Sequence, residues 1–235
     1  MDKASIYSSN LKLLKKQIDS SQKINLDPIL KWLNNKRKIS KAKVKLVSIS
    51  SLSDWLYDKS LGIIRHKKGT DKFFSIQGIK INNASTSEVN NWDQPILVQK
   101  EGGILAIICQ KQGKQIKFLL HAKFEPGNIG KVQLAPTIQA TYSNLKRHHG
   151  GVKPRFSEYL NYPKTTIIYS SKHNEEGSRF LKKSNINSLV LIDQNETIYL
   201  TQDDDYIWLT LPEIKLLFLY DNIVNPFVKT ILSPL

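Results

Sequence analysis

The sequence predicts an α+β fold, with mixed β-sheets flanked by helices at the ends and between groups of strands. Three observations predict it. Apolar residues recur at helical spacing in the first forty residues and again after residue 211. From residue 62 the period changes to short runs rich in Ile, Val, Leu and Phe, broken by glycine and polar turns. No low-complexity linker divides the 235 residues, which suffice to bury a sizeable core.

The elements follow in order. Tyr7 to Ser20 carries Leu11, Leu14 and Ile18 on one helical face. Asp27-Pro28 opens a second helix with a good cap and a first-turn proline, burying Ile29, Leu30 and Leu33. A strand is expected at Val44 to Ile49, and a short helix holding Trp55 at Ser51 to Tyr57. Gly62 to His66 and Phe73 to Ile81 flank a turn-like segment and predict a hairpin. Pro95 to Gln99 is a further strand, and Ile104 to Gln110 pairs with Gln115 to Glu125 around Gly113. Lys131 to Thr141 is extended with a break at Pro136, and a short helix follows at Phe156 to Leu160. Strands are expected at Thr165 to Tyr169, Ser188 to Ile192 and Tyr206 to Thr210. Helices are expected at Gly177 to Lys182 and Pro212 to Tyr220.

The net charge of +15 invites a nucleic-acid partner. Its make-up argues against one: only Arg37, Arg65, Arg147, Arg155 and Arg179 are arginines, and the remaining basic residues are lysines spread along the chain. The densest run, Lys31 to Lys45, reads as a solvated face. No apolar run follows Met1-Asp2-Lys3, and no apolar stretch reaches membrane-spanning length, so neither a signal peptide nor a membrane anchor is expected and a cytoplasmic location is. Cys109 is the single cysteine and reads as a small buried hydrophobe. There is no Gly-rich dinucleotide fingerprint, phosphate-loop lysine motif or metal-ligand spacing of histidines. Asp203-Asp204-Asp205 reads as a solvated turn. No metal and no cofactor is expected.

Residues 88 to 151 are the informative part. Trp92-Asp93-Gln94-Pro95-Ile96-Leu97-Val98-Gln99 is followed by Ala122-Lys123-Phe124-Glu125-Pro126-Gly127-Asn128. Then come Val132-Gln133-Leu134-Ala135-Pro136-Thr137-Ile138-Gln139-Ala140-Thr141, Ser143-Asn144 and His148-His149-Gly150-Gly151. Amides at Gln133 and Gln139, with the Thr141 hydroxyl, would share one face if the Pro136 break keeps register. Such a face suits the hydroxyls and carbonyls of a sugar or base.

These segments resemble the signature of the NDP-hexose 2,3-dehydratases. The match extends through Glu175-Glu176-Gly177-Ser178-Arg179-Phe180 and Lys182-Lys183-Ser184-Asn185, to Trp208-Leu209-Thr210-Leu211 and Asp221-Asn222-Ile223-Val224-Asn225. The resemblance implies a Nudix-hydrolase-like core, residues 43–235 as a single dehydratase repeat behind a helical segment at 1–42, and dimeric assembly. The partner would be a second copy, or a second repeat in a heterodimer, since the family usually carries two repeats in tandem. It implies a nucleotide-sugar substrate, dTDP-4-keto-6-deoxyhexose, from which the C2 hydroxyl leaves after C3 proton abstraction. Two alternatives stay open: a non-catalytic repeat that binds the nucleotide sugar beside an active partner, and recruitment to another hydroxy-ketone.

The reaction needs a base, a proton donor and a donor for the enolate oxygen. Glu125, His149 and Lys123 are the candidates, with none singled out as the base. His148 and Tyr142 stand near them. Arg65 and Arg179 are expected at the diphosphate, and Trp92 either stacks on the base or packs in the core. Gln94, Gln99, Gln133, Gln139, Thr141 and Asn144 complete the expected substrate contacts.

Overall fold

The computed structural model describes residues 2–18, 24–70, 73–145, 152–201 and 203–235. Asp2 accepts a hydrogen bond from the Ser5 amide and so opens helix α1 (Lys3–Lys15) before the first residue of the apolar pattern. Helix α2 (Asp27–Ile39) has Pro28 in its first turn and turns Ile29, Leu33 and Lys36 inward. The basic run is therefore not simply a solvated face. Lys36 lies over the Trp32 ring, donates to the Asp203 carbonyl at 2.7 Å and pairs with Asp205 at 3.1 Å. Arg37 donates to the carbonyls of Val132 and Asn222. The aspartate triplet is likewise engaged, because Asp204 pairs with Arg155.

Two local expectations fail between the helices and the first sheet. Val44 to Ser48 takes no regular structure and pairs with no strand among the described residues, Ile49 opens a 3-10 turn (Ile49–Ser51), and Leu46 stays 96% exposed. Alternating lysines and apolar residues supply β-propensity, but a ladder needs a neighbouring edge that local sequence cannot specify. Trp55 lies in strand β1 (Trp55–Asp58) instead of a helix, where its ring packs against His66 and Phe74, with centroids 5.5 and 4.5 Å away. Strands β1, β2 (Ile63–His66), β3 (Ser75–Ile81) and β4 (Trp92–Val98) form an antiparallel sheet in chain order.

The larger sheet has seven strands. β5 (Gly103–Gln112) and β6 (Gln115–Phe124) form a hairpin whose turn places Gly113 at φ +61°. The two strands then splay. The chain returns between them as β7 (Val132–Pro136) on β6 and β8 (Ile138–Thr141) on β5. Thr137 sits at the apex, its hydroxyl accepting from the Ile108 amide at 3.0 Å and donating to the Leu119 carbonyl. β9 (Thr166–Asn174) and β10 (Ser184–Ile192) extend the sheet beyond β5, and β11 (Tyr206–Thr210) borders β6. β10 runs parallel to β5 while the other pairs are antiparallel, which makes the sheet mixed, as the sequence predicts.

No helix forms at Gly177 to Lys182. The backbone there serves the smaller sheet instead: Leu97 N–H donates to the Arg179 carbonyl and Leu181 N–H to the Leu97 carbonyl, both at 2.9 Å. Residues 156–160 make only a 3-10 turn. Near the C-terminus, Thr210 and Glu213 cap each other at the start of α4 (Leu211–Leu217), and α5 (Pro226–Leu232) begins at an Asn225 cap. Strand alternation divides the larger sheet's apolar residues between two cores. Leu105, Ile107, Phe118 and Leu134 pack with Leu14, Leu33, Ile214 and Val228 of the helices. Ala106, Ile108, Leu119 and Ile138 face Phe156 and Ile192 on the other side. Each fully buried side chain of this size contributes roughly 1.5–3 kcal/mol.

Candidate functional site

A polar cleft of about 180 Å³ opens where β5 and β6 diverge. Gly103, Leu105, Gln139 and Thr141 form its floor, Lys123 stands on the β6 side, and Glu175, Lys183 and Asn185 stand on the β9–β10 side. Phe227 of α5 and Asn144 of the short helix α3 (Tyr142–Leu145) complete the lining. Glycine is required in the floor by close packing. A Cβ on Gly103 would lie 2.7 Å from the Ala140 carbonyl oxygen and 3.4 Å from Asn185 Oδ1. We expect Gly103→Ala to lower unfolding free energy by about 1–3 kcal/mol, measured by denaturant titration. An unchanged midpoint would show that β8 can move aside freely.

Glu125 organises the cleft from one end. Its Oε1 accepts from Gln139 Nε2 at 2.7 Å and its Oε2 from Asn225 Nδ2 at 2.9 Å. The carboxylate can only accept here, so it fixes the orientation of the Gln139 amide. Gln139 Oε1 is thereby left buried with no partner among the described residues. A bound hydroxyl would satisfy it. Two residues before Glu125, Lys123 is largely buried. Burial lowers its proton affinity below the usual lysine range, and the Glu125 charge works the other way.

The opposite wall carries residues that sequence reasoning did not select. Asn185 Oδ1 accepts from the Gly103 amide at 2.9 Å, and its Nδ2 donates to Glu175 Oε1 at 2.6 Å. Lys183 Nζ donates to Gln99 Oε1 at 2.8 Å, lies 3.6 Å from Glu175 Oε1 and sits over the Phe180 ring. The expected residue Gln99 thus reaches the site through Lys183. The signal for Lys183 and Asn185 is the run Lys183-Ser184-Asn185, a polar lead into a strand that turns continuously apolar only from Leu189.

The remaining expected residues lie elsewhere. Gln133 is buried opposite Lys123 on β6 and is not among the residues that line the cleft; the chain reverses at Pro136–Thr137, and Gln139 and Thr141 continue on β8 against β5. Tyr142 lines a second cavity of about 400 Å³, reached from the other face of the sheet and walled by Ile104, Ile186 and Val190. In the smaller sheet, Arg65 is engaged by Asp58, with Nε and Nη2 each 2.8 Å from Oδ2. Trp92 Nε1 donates to Gln94 Oε1, and Gln94 Nε2 to the Ser178 carbonyl. Arg179 is exposed on the loop before β10. His148 and His149 lie outside the described residues.

His121, two residues before Lys123, stacks on Tyr206 with centroids 4.3 Å apart. Burial, then the Lys123 charge, pushes its pKa from 6.5 down to about 4, with Asp205 opposing. Between these values the unfolded chain binds a proton that the folded chain refuses, so stability falls as pH drops from 6.5 to about 4. The loss is on the order of 3 kcal/mol. His121→Phe is expected to flatten that acid limb in urea titrations at stepped pH, and an unchanged slope would assign the limb to other groups.

Fold and site together define a mixed-sheet α+β domain with an amide- and lysine-lined polar cleft at its splayed end. The NDP-hexose 2,3-dehydratase family model matches residues 26–235, and the chain belongs to that family. It is 31% identical over 232 residues to a dTDP-4-dehydro-6-deoxy-alpha-D-glucopyranose 2,3-dehydratase of Amycolatopsis orientalis, covering 97% of this chain and 48% of that protein. An enzyme of the same name from Saccharopolyspora spinosa is 32% identical, with coverage of 86% and 40%. The chain therefore spans about half the length, or less, of the curated relatives it matches. Among solved structures, an ADP compounds hydrolase aligns with a TM-score of 0.42 at 10% identity, over 71% of this chain and 86% of that one. No helix among the described residues is long and apolar enough to cross a membrane.

Proposed function

We propose that this chain is a nucleotide-sugar 2,3-dehydratase, a hydro-lyase acting on a dTDP-4-keto-6-deoxyhexose. The names of its relatives support the substrate. The observation that supports the chemistry is Lys123, a partly buried amine of lowered proton affinity lining a polar cleft. An unprotonated lysine amine is a competent base, and burial shifts Lys123 toward that form. It removes the C3 proton, which the adjacent C4 ketone acidifies. The open Gln139 Oε1 accepts from a sugar hydroxyl while Glu125 holds the amide in place, and Thr141 and Asn144 complete the sugar contacts. Arg179 is assigned to the diphosphate; His149 stays a proton-transfer candidate and His148 a substrate contact, both outside the described residues.

Residues 43–235 are taken as one dehydratase repeat with a Nudix-hydrolase-like core, and residues 1–42 as its helical segment. Assembly as a homodimer, or as a heterodimer with a second repeat, is supported by the half-length match to the relatives. A cytoplasmic location is consistent with the single buried thiol of Cys109. The test is thermal stabilisation by dTDP against inorganic phosphate, followed by turnover of the 4-keto sugar. Equal shifts for both ligands would remove the nucleotide pocket. The half-length match also favours one second reading: dTDP binding without turnover would make this chain a non-catalytic repeat beside an active partner.

A further inference from the structure

We propose that Lys183, positioned by Glu175 and Gln99, is the proton donor to the departing C2 hydroxyl; this assignment rests on the dehydratase reading. Elimination needs two groups of opposite sense, one to take the C3 proton and one to give a proton to the leaving oxygen. Three titratable side chains line the cleft among the described residues: Lys123, Glu175 and Lys183. Lys123, in a site that disfavours its charge, is the acceptor. Glu175 Oε1 already accepts from Asn185 Nδ2 at 2.6 Å and faces Lys183 at 3.6 Å, so the carboxylate serves as an acceptor.

That leaves Lys183, whose surroundings suit a cation. One N–H is given to Gln99 Oε1 at 2.8 Å, a second faces Glu175, and the Phe180 ring lies 4.7 Å away. A third N–H has no partner among the described residues and is available to a ligand in the cleft. The two lysines stand at different strands, β6 and the entrance to β10, with β7, β8 and β5 between them. Base and acid therefore approach the sugar from different sides.

The steps balance. Lys123 takes the C3 proton, and the C3–H electron pair forms the enolate with the C4 oxygen. The enolate collapses, C2=C3 forms, the C2–O bond breaks, and Lys183 protonates the departing hydroxide to water. The resulting enol gives its hydroxyl proton to the Lys183 amine, and the Lys123 ammonium returns a proton to C2. The product is a 3,4-diketo-2,6-dideoxy sugar and one water, with both lysines restored.

The experiment separates proton abstraction from elimination. The full chain and its K183M variant are incubated in deuterium oxide with the dTDP-4-keto-6-deoxy sugar, following C3 deuterium in recovered substrate and product formation. K183M is expected to bind dTDP within about threefold of the parent and to keep C3 exchange, while product formation falls roughly 100-fold. E175Q, a milder change that keeps the side-chain shape but removes the carboxylate that faces Lys183, should slow product formation roughly 10-fold while keeping C3 exchange. Turnover within threefold of the parent in K183M, loss of exchange together with turnover while dTDP still binds, or exchange falling in step with turnover in E175Q would overturn the assignment alone. A parent chain that neither exchanges C3 nor forms product would overturn the dehydratase reading, and this assignment with it.

Discussion

Replacing Lys123 with methionine is expected to lower turnover of the 4-keto sugar roughly 1000-fold, while dTDP affinity stays within about threefold of the parent. Methionine has a similar reach and no charge, so it fills the space that Lys123 occupies beside the cleft without opening a hole. In the parent, kcat should rise with pH as the amine loses its proton, with a midpoint below the ordinary lysine value of 10.5 because burial disfavours the ammonium. Glu125 limits how far that midpoint falls. The same burial has a stability consequence of definite sign. Between the lowered folded value and 10.5, the unfolded chain holds a proton that the folded chain has released, so stability rises with pH across that window. K123M removes that penalty, so it should be at least as stable as the parent at neutral pH despite its lost activity. Initial rates, calorimetric dTDP titration and urea melts check the three parts; kcat within threefold of the parent would remove Lys123 as the base.

Much of the larger sheet was legible because its signals are local and repeated. Ile104 to Gln110, a short apolar run, and Gln115 to Glu125 flank a glycine turn, and both strands form where the pattern places them. The failures share a cause. Val44 to Ile49 has strand-like residues but no edge to join, and Gly177 to Lys182 gives its backbone hydrogen bonds to Leu97. Both outcomes depend on neighbours distant in the chain. The site divides along the same line. Lys123, Gln139, Thr141 and Asn144 were legible, since unusual polar residues in strands stand out, and the fold brings all four to one cleft. Gln133 was misplaced because nothing local shows that the chain reverses at Thr137. Lys183 and Glu175 were overlooked because a lysine and a glutamate in a basic, turn-rich stretch look like ordinary surface until β10 brings them beside Gly103.

That reversal at Thr137 gives the second large effect, in stability. Thr137 is 2% exposed and bonds both strands at the point where they part. Thr137→Val keeps the shape and the β-branched backbone preference but removes the hydroxyl. The Ile108 amide and the Leu119 carbonyl would then be buried without their partner, at about 1–3 kcal/mol each. A total loss of about 2–5 kcal/mol is expected, the smaller figure applying if water enters the gap. Ser is the discriminating control, because Thr137→Ser keeps the hydroxyl and loses only a methyl group, so its cost should be nearer 1 kcal/mol. The valine change should also weaken dTDP binding, since Thr137 ties β5 and β6 at the point where they part and the cleft opens where they diverge. Urea denaturation of both variants with dTDP titrations measures the two effects together. If valine and serine destabilise equally, the methyl contact rather than the hydroxyl bridge holds the splay, and the cleft owes its shape to packing.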